Sequence, residues 1–285
     1  MALAITKVKK DIEFNKRFNS IIEVLKAIAV SQFHILEKKI KVFERFDPIL
    51  QEFFDSVDTE NLQHPFLGSG EVQGPRIVVG VTSDQGLLGG GNMRIVKTAI
   101  GLMDSERDLL VVIGEQGKKF ARDSHVSFEA FPGIQDDQRY AQARALRTYL
   151  FKQVATGMFR SIQIIYNRAF SLVNQRMEIN TLLPVSRTEG KSSAPRVSLS
   201  QMILETSFGS ILEYLIYLSM GRKLNDIFGM SRLAELAARF VHLEESTQRI
   251  QELNRKLTLK YFRLRHELID QSMRELFAAR SLYAQ

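Results

Sequence analysis

The sequence predicts an α/β fold combined with a coiled coil, in which long antiparallel N- and C-terminal helices flank an inserted α/β domain of about five strands. Two observations lead to this prediction. Both ends of the chain carry apolar residues at steps of three and four over many turns, which is the spacing of one helix face. Between them, short β-branched runs alternate with helical patterns. The expected divisions are residues 1–60, 73–198 and 199–285.

The N-terminal segment predicts one helix from Ile5 to Phe54. No glycine precedes Gly68, and Pro48 is the first residue able to kink or shorten the helix. The expected apolar stripe consists of Ile5, Val8, Ile12, Phe18, Ile21, Leu25, Ile28, Ile35, Leu36, Ile40, Phe43 and Phe46.

The middle of the chain predicts alternating strands and helices between two Gly- and Pro-rich loops, residues 64–75 and 186–197. Strands are expected at Arg76–Thr82, Leu109–Ile113, Val126–Phe131, Ser161–Asn167 and Met177–Pro184. Helices are expected at Asn92–Met103, Gln116–Arg122 and Gln135–Phe159. This alternation indicates a largely parallel, Rossmann-like sheet.

The C-terminal segment predicts a nearly continuous helix over residues 199–283. Its stripe consists of Leu233, Leu236, Phe240, Leu243, Thr247, Ile250, Leu253, Leu257, Tyr261, Leu264 and Leu268. A three-four pattern sustained over about five heptads favours a coiled coil. At 1.5 Å per residue, a helix of about 80 residues is about 120 Å long. Because no small globular domain can bury a helix of that length, we expect it to pair with the N-terminal stripe.

The charge is concentrated at the two ends of the chain. Residues 1–50 carry ten Lys and Arg against six Asp and Glu, which gives +4, and residues 231–285 carry ten against seven, which gives +3. These two regions account for the net charge of +7. Basic surfaces favour acidic partners, and charge alone leaves nucleic acid, anionic lipid and acidic protein loops open. Interleaved acids and few neighbouring aromatic residues make nucleic acid the weaker choice.

The segment from Thr82 to Asn92, called the glycine turn below, follows a predicted strand and precedes a predicted helix. Phosphate-binding loops occupy such positions. The segment has no Lys-Ser/Thr pair of a P-loop, however, and its glycines do not follow the G-x-G-x-x-G spacing. A structural or interface turn is therefore favoured over a nucleotide site, with positive φ angles expected at its glycines.

Nothing else in the sequence predicts chemistry. The chain has no cysteine, which excludes disulfides, thiolate metal sites and cysteine nucleophiles. Its five histidines lack the spacing of a zinc site: His34, His64, His125, His242 and His266. The neighbouring Glu244 and Glu245 are expected to be solvated charges on a helix face. We expect no catalytic residue, cofactor or metal, and no apolar run approaches the length of a membrane-spanning helix.

Three segments resemble the gamma subunit of F-type ATP synthases. Residues 25–31, LKAIAVS, resemble the family's M-K-M-V-A-A-S, and residues 83–92, SDQGLLGGGN, are similar to its S-D-R-G-L-C-G-G-x-N. Residues 235–240 (ELAARF) and 257–261 (LTLKY), together with Thr247 and Arg265, follow its E-x-A-A-R-M, A-T and L-T-L-x-Y-N-x-x-R pattern. Tyr166-Asn167 and residues 182–184 match its Y-N and L-L-P.

The resemblance implies a non-catalytic rotor whose coiled coil is a shaft and whose α/β domain is a foot. It implies an alpha and beta subunit hexamer, an epsilon subunit and a membrane c-ring as partners, without nucleic acid or membrane insertion. The expected location is the cytoplasmic face of an energy-transducing membrane, most simply the bacterial inner membrane. The resemblance places the rotor–stator interface at Leu25, Lys26, Ser31, Arg239, Thr247, Arg265, His266 and Asp270. It places the turn of the foot domain at Ser83, Asp84, Gly86, Gly89, Gly90 and Asn92.

The C-terminal signature of the family is altered in this chain. Asp270 and Ser272 replace its Thr and Glu, Ala279-Arg280 replace its Gly-Ala, and His266 replaces a Gln. These departures point to a divergent member. The alternatives are a rotor in a specialised ATPase that mainly hydrolyses ATP, a non-catalytic coiled-coil scaffold with an α/β head, and a nucleotide-dependent enzyme using the glycine turn.

Overall fold

The computed structural model describes residues 2–40, 66, 74–86, 88–104, 107–184 and 206–283. The predicted helix beyond residue 40, most of the loop at 64–75, the loop at 186–197 and the predicted helix start at 199 lie outside the described residues. The chain divides into two compact units. The helix-pair unit comprises Met1–Val30 and Arg239–Gln285, and the sheet unit comprises Ser31–Ala238.

The sheet unit contains five strands in the order β3-β2-β1-β4-β5. The strands are β1 Arg76–Val81, β2 Leu109–Ile113, β3 Phe128–Phe131, β4 Ser161–Ala169 and β5 Gln175–Leu183. Strands β1 to β4 pair in parallel, and β5 pairs antiparallel with β4. The predicted five-stranded, largely parallel sheet is therefore confirmed.

Helices cover both faces of this sheet because its central strands are apolar on both sides. They are α2 Gly91–Gly101, α3 Glu115–Asp123 and α4 Arg139–Ala155, followed by the long α5, Phe208–Tyr283. Helix α4 and residues 212–228 of α5 pack on the face that carries Ile77 and Val79. Helices α2 and α3 pack on the opposite face, which carries Val78 and Val112.

Helix α4 is shorter than the predicted span of residues 135–159. At its start, the side chain of Gln142 accepts a hydrogen bond from the Gln135 backbone N–H at 2.9 Å and donates one to the Gly133 carbonyl at 2.8 Å. These bonds hold residues 133–135 in the non-helical connection that precedes the helix. At its end, Gly157 has φ 75° and donates its N–H to the Val154 carbonyl, a left-handed C-terminal stop that glycine adopts at low cost.

The helix-pair unit consists of the first part of α1, which spans Ala2–Ile40, and the last part of α5. Side-chain contacts between the described parts of the helices include Asn15 with Asn254, Glu23 with Thr247, and Lys26 with Glu244. The residue number rises along one helix as it falls along the other, so the helices are antiparallel, as predicted. We call the residues between them the seam.

The predicted stripe on α1 is wrong over its middle. Phe18, Ile21, Leu25, Ile28 and Ile35 are exposed on the surface of the helix. The less exposed positions near them are Asn15, Asn19, Ile22, Lys26 and Ala29. The exposed apolar residues therefore lie on a neighbouring face. The less exposed face combines buried Ile22 and Ala29 with Asn15 and Lys26, which form a hydrogen bond and an ion pair.

The C-terminal stripe is correct except at one position. Leu243 and Thr247 are buried, and Leu257, Tyr261 and Leu264 are half-buried. Leu253 is 48% exposed, and its neighbour Asn254 occupies the seam instead. The cause is the same as on α1, since the Asn15–Asn254 hydrogen bond satisfies two amides that would be costly to bury alone.

Candidate functional site

The glycine turn connects the end of β1 to the start of α2. The Asn92 side chain accepts a hydrogen bond from the Ser83 backbone N–H at 3.2 Å and donates one to Ser83 Oγ at 2.9 Å. Ser83 Oγ donates in turn to the Gln85 carbonyl at 2.7 Å. Both Ser83 and Asn92 are buried, so this network satisfies polar groups that would otherwise lose their hydrogen bonds to water.

The residues before the glycines tie β1 to the next strand–helix connection. Thr82 Oγ1 donates to the Ile113 carbonyl at 2.5 Å and accepts from the Gly117 N–H at 3.0 Å. The Asp84 carboxylate accepts from the Glu115 N–H at 2.9 Å, at the start of α3. A negative charge there is favourable because it faces the positive end of the helix. Thr82 and Asp84 therefore have a structural role at this end of the sheet.

The glycines of the turn differ in what they contribute. Gly89 and Gly90 have φ 55° and 83°, in the left-handed region that glycine adopts most readily. Gly86 and Gly91 do not have positive φ angles, so the expectation is confirmed for two of the four glycines. Leu87, which also belongs to the turn, lies outside the described residues.

The crevice beside the glycine turn has no room for a nucleotide. Strand order reverses between β1 and β4, which is where open α/β sheets commonly bind ligands. Here Ser231, Ala234, Glu235 and Ala238 of α5 line the crevice together with the turn, and the remaining cavity measures about 20 Å³. That volume suits about one water molecule. The turn is thus packed closely against α5, and its role as a structural or interface turn stays a prediction.

The seam of the helix-pair unit holds a cluster of charged and polar side chains. Lys26 Nζ lies 2.5 Å from a carboxylate oxygen of Glu244 and 3.2 Å from one of Glu23. Thr247, which is buried, donates its hydroxyl to Glu23 at 3.4 Å. The Lys26 side chain is only 14% exposed, and its ammonium is paired with two carboxylates that themselves reach solvent.

The protonation equilibria reflect this pairing. The hydrogen bond with Glu244 raises the pKa of Lys26 above its usual value. The same bond lowers the pKa of the Glu244 carboxyl. Both groups are therefore held in their charged forms around neutral pH. The expectation that Glu244 is merely solvated is wrong, whereas Glu245 is exposed and lies 3.9 Å from Arg249.

The predicted interface residues occupy different environments. Leu25, Ser31, Arg265, His266 and Asp270 are exposed, Arg239 is half-buried, and Lys26 and Thr247 lie in the seam. The altered C-terminal positions Ser272, Ala279 and Arg280 are exposed on α5. Glu23, Asn15 and Asn254 also lie in the seam but were not among the predicted interface residues. The three-residue spacing of Glu23 and Lys26 was a usable signal for the first of these.

The described residues contain neither a metal-site candidate nor a membrane-spanning helix. Their His, Asp and Glu side chains form no group that could hold a metal ion. None of the described helices combines the length and the apolar character needed to cross a membrane.

Comparison with known proteins gives consistent matches over most of the chain. A family model described as ATP synthase matches residues 4–281. The ATP synthase gamma chain of Clostridium acetobutylicum is 25% identical over 244 residues, which cover 85% of this chain and 83% of the relative. That of Clostridium beijerinckii is 22% identical over 282 residues, which cover 96% of both chains.

A solved structure shows the same fold. A chain in the cryo-EM structure of the OSCP, F1 and c-ring assembly of the Euglena gracilis mitochondrial ATP synthase superposes with a TM-score of 0.72 at 16% identity. The match covers 99% of this chain and 95% of the other. With the antiparallel helix pair, the five-stranded sheet and the family match over residues 4–281, the chain belongs to the ATP synthase gamma-chain family.

Proposed function

We propose that this chain is the central-stalk rotor of an F-type rotary ATP synthase, coupling ion flow through a membrane ring to conformational changes at catalytic sites on beta subunits. The observation that carries the proposal is the antiparallel helix pair with a basic surface in a chain of the gamma family. A shaft of this kind works by favouring a different conformation of a surrounding subunit in each orientation.

The proposed partners are an alpha and beta subunit hexamer, an epsilon subunit and a c-ring. Relatives of the same fold come from structures of a rotor, of an OSCP, F1 and c-ring assembly, and of a central stalk with its c-ring. The excess positive charge at both ends of this chain, +4 and +3, favours acidic surfaces on the hexamer.

We propose different roles for the exposed interface residues and for those in the seam. Leu25, Arg265, His266 and Asp270 are exposed, and we assign to them direct contact with the surrounding subunits. Lys26 is paired in the seam, so we assign to it the coupling of one helix to the other. A shaft that transmits torque needs its two helices to turn together, and a partly buried ion pair resists their sliding.

The chain itself is proposed to be non-catalytic, with nucleotide chemistry residing on the beta subunits. The filled crevice beside the glycine turn supports this assignment. As part of a membrane complex, the chain would be peripheral, on the cytoplasmic face of an energy-transducing membrane, with H⁺ or Na⁺ as the coupling ion.

The test is reconstitution with alpha and beta subunits from the same source. The expected result is a stoichiometric complex in which ATP hydrolysis turns the chain, seen with a bead attached to the sheet unit. Arg265→Glu is expected to weaken the coupling between hydrolysis and rotation. Arg263→Glu is the matched control, because it makes the same charge change two residues away on another helix face. Failure to form a complex, or equal effects of both variants, would contradict the proposal.

A further inference from the structure

Helix α1 carries two apolar faces between residues 5 and 29. The first, the seam face, is buried or half-buried, and its apolar residues are Ile5, Val8, Ile12, Ile22 and Ala29. The second, which we call the outer stripe, is exposed and consists of Phe14, Phe18, Ile21, Leu25 and Ile28. Successive residues of an α-helix point about 100° apart, so turning α1 through roughly that angle would exchange the two faces.

Apolar content alone does not select the face that lies in the seam. Each face has five apolar residues in this part of the helix, and the outer stripe has the larger ones because it includes two phenylalanines. The rings of Phe14 and Phe18 stack with their centroids 6.1 Å apart, and both side chains remain exposed. Hydrophobic stabilisation rises with the apolar area removed from water, so burying the outer stripe would be at least as favourable.

The seam face also carries polar residues that are costly to bury. Asn15, Asn19 and Lys26 occupy its middle and are half-buried. Among the described residues, the side-chain oxygen of Asn19 is buried and has no hydrogen-bond partner. An unsatisfied polar group of this kind disfavours burial of the face that carries it.

Two contacts with α5 favour the seam face in spite of this cost. Asn15 Nδ2 donates a hydrogen bond to Asn254 Oδ1 at 3.1 Å, and Lys26 Nζ lies 2.5 Å from a carboxylate oxygen of Glu244. Both contacts require that the seam face is turned toward α5, whereas apolar burial is available to either face. A polar residue in the seam of a coiled coil can in this way specify one arrangement at a cost in stability.

We propose that Asn254 and Glu244 are specificity-determining residues, which select the seam face of α1 and so keep the outer stripe on the surface of the helix pair. This choice of face is a property of the isolated chain. Its consequence for the shaft is that an apolar surface stays turned toward the surrounding subunits, and that consequence rests on the proposed rotor function.

The experiment uses single cysteines as probes, because the chain has none of its own. Ile21→Cys reports on the outer stripe and Ile22→Cys on the seam, since these positions are 56% and 3% exposed. In the otherwise unchanged full-length chain, we expect a maleimide to label position 21 at least about tenfold faster than position 22. Adding Glu244→Leu and Asn254→Leu should lower the ratio of the two labelling rates at least about tenfold, because the seam face then loses its polar partners on α5.

The matched control is Glu245→Leu with Gln251→Leu, which makes two polar-to-leucine changes at exposed positions of the same helix. This control should leave the ratio of labelling rates unchanged. A rescue variant adds Phe18→Gln and Leu25→Gln to the chain with leucine at positions 244 and 254. Because the outer stripe is then polar, the seam face should return to the seam and the ratio should recover. Circular dichroism measures the helix content of each variant.

Three outcomes would overturn the proposal. The first is an unchanged ratio after Glu244→Leu and Asn254→Leu, and the second is a change of the same size in the control. The third is fast labelling of both positions that the rescue variant does not reverse, because the helices would then separate or unfold rather than turn. The assay uses the isolated chain, so these outcomes are independent of whether the chain assembles with alpha and beta subunits.

Discussion

Replacing Gly117 by alanine would place a methyl group in a close contact that α3 makes with Thr82, just after β1, and with Val112 of β2. A Cβ at this position would lie 2.3 Å from Thr82 Oγ1 and 2.7 Å from Val112 Cγ1. Ordinary carbon contacts begin about 1 Å further away. The helix would therefore have to move outward, and the Gly117 N–H would be pulled from Thr82 Oγ1, now 3.0 Å away.

The change in the free energy of unfolding is the sum of opposing effects. Overpacking costs about 1–3 kcal/mol, and the weakened hydrogen bond costs about 0.5–1.5 kcal/mol. Alanine gains about 1 kcal/mol over glycine in a helix interior. The net expectation is a loss of about 0.5–3.5 kcal/mol in the free energy of unfolding of the sheet unit.

The loss of stability can be measured in the sheet itself by hydrogen exchange and mass spectrometry on peptides that cover β1 and β2. The amides of these strands exchange when the sheet opens, so their protection reports its free energy of opening. The matched control is Gly101→Ala at the end of α2, where an added Cβ meets no atom within 4 Å. The control is expected to be neutral or slightly stabilising, by at most about 1 kcal/mol. Equal protection in both variants would refute the packing argument for the residues around Thr82.

Two further predictions concern the seam. Single and double substitutions Lys26→Met and Glu244→Gln should give a coupling free energy of about 0.5–1 kcal/mol in urea unfolding, because one partner is partly exposed. This coupling should be lost as the pH falls through the lowered pKa of Glu244, because the carboxylate is then neutralised. It should also be lost as the pH rises through the raised pKa of Lys26, because the ammonium is then neutralised. A coupling free energy that does not change with pH would exclude an ionic origin. Leu257→Asp should destabilise the helix pair by about 1–3 kcal/mol, whereas Leu259→Asp, at a position 71% exposed, should change stability by less than about 0.5 kcal/mol. Equal losses would show that Leu257 lies outside the seam.

The centre of the sheet was predictable because strands β1 and β2 are almost fully buried. Residues 76–81 and 109–113 are short β-branched runs bounded by turn residues, and burial on both faces leaves such runs few alternatives to a central parallel strand. The ends of α4 were less predictable. They depend on the side chain of Gln142 and on a left-handed Gly157, which are single interactions that a periodic pattern does not contain.

The antiparallel pairing of the two helices was predictable, but the face of α1 that lies in the seam was not. Apolar residues at three-four spacing run along the helix at Phe18, Ile21 and Leu25, so periodicity alone selects that face. In the structure the adjacent face lies in the seam, where Lys26 forms an ion pair with Glu244. These residues are 218 positions apart in sequence (244 − 26), and no local pattern encodes such a pairing.

The amino-acid sequence by itself determined the two long helices, the alternating sheet between them and the family resemblance in the glycine turn, because each of these is written in local spacing and residue type. Only the tertiary structure decided that α5 fills the crevice beside the turn and that Lys26 lies inside the seam. The physical reason is that burial, ion pairing and cavity shape depend on which distant residues come together, and these contacts exist only once the chain has folded.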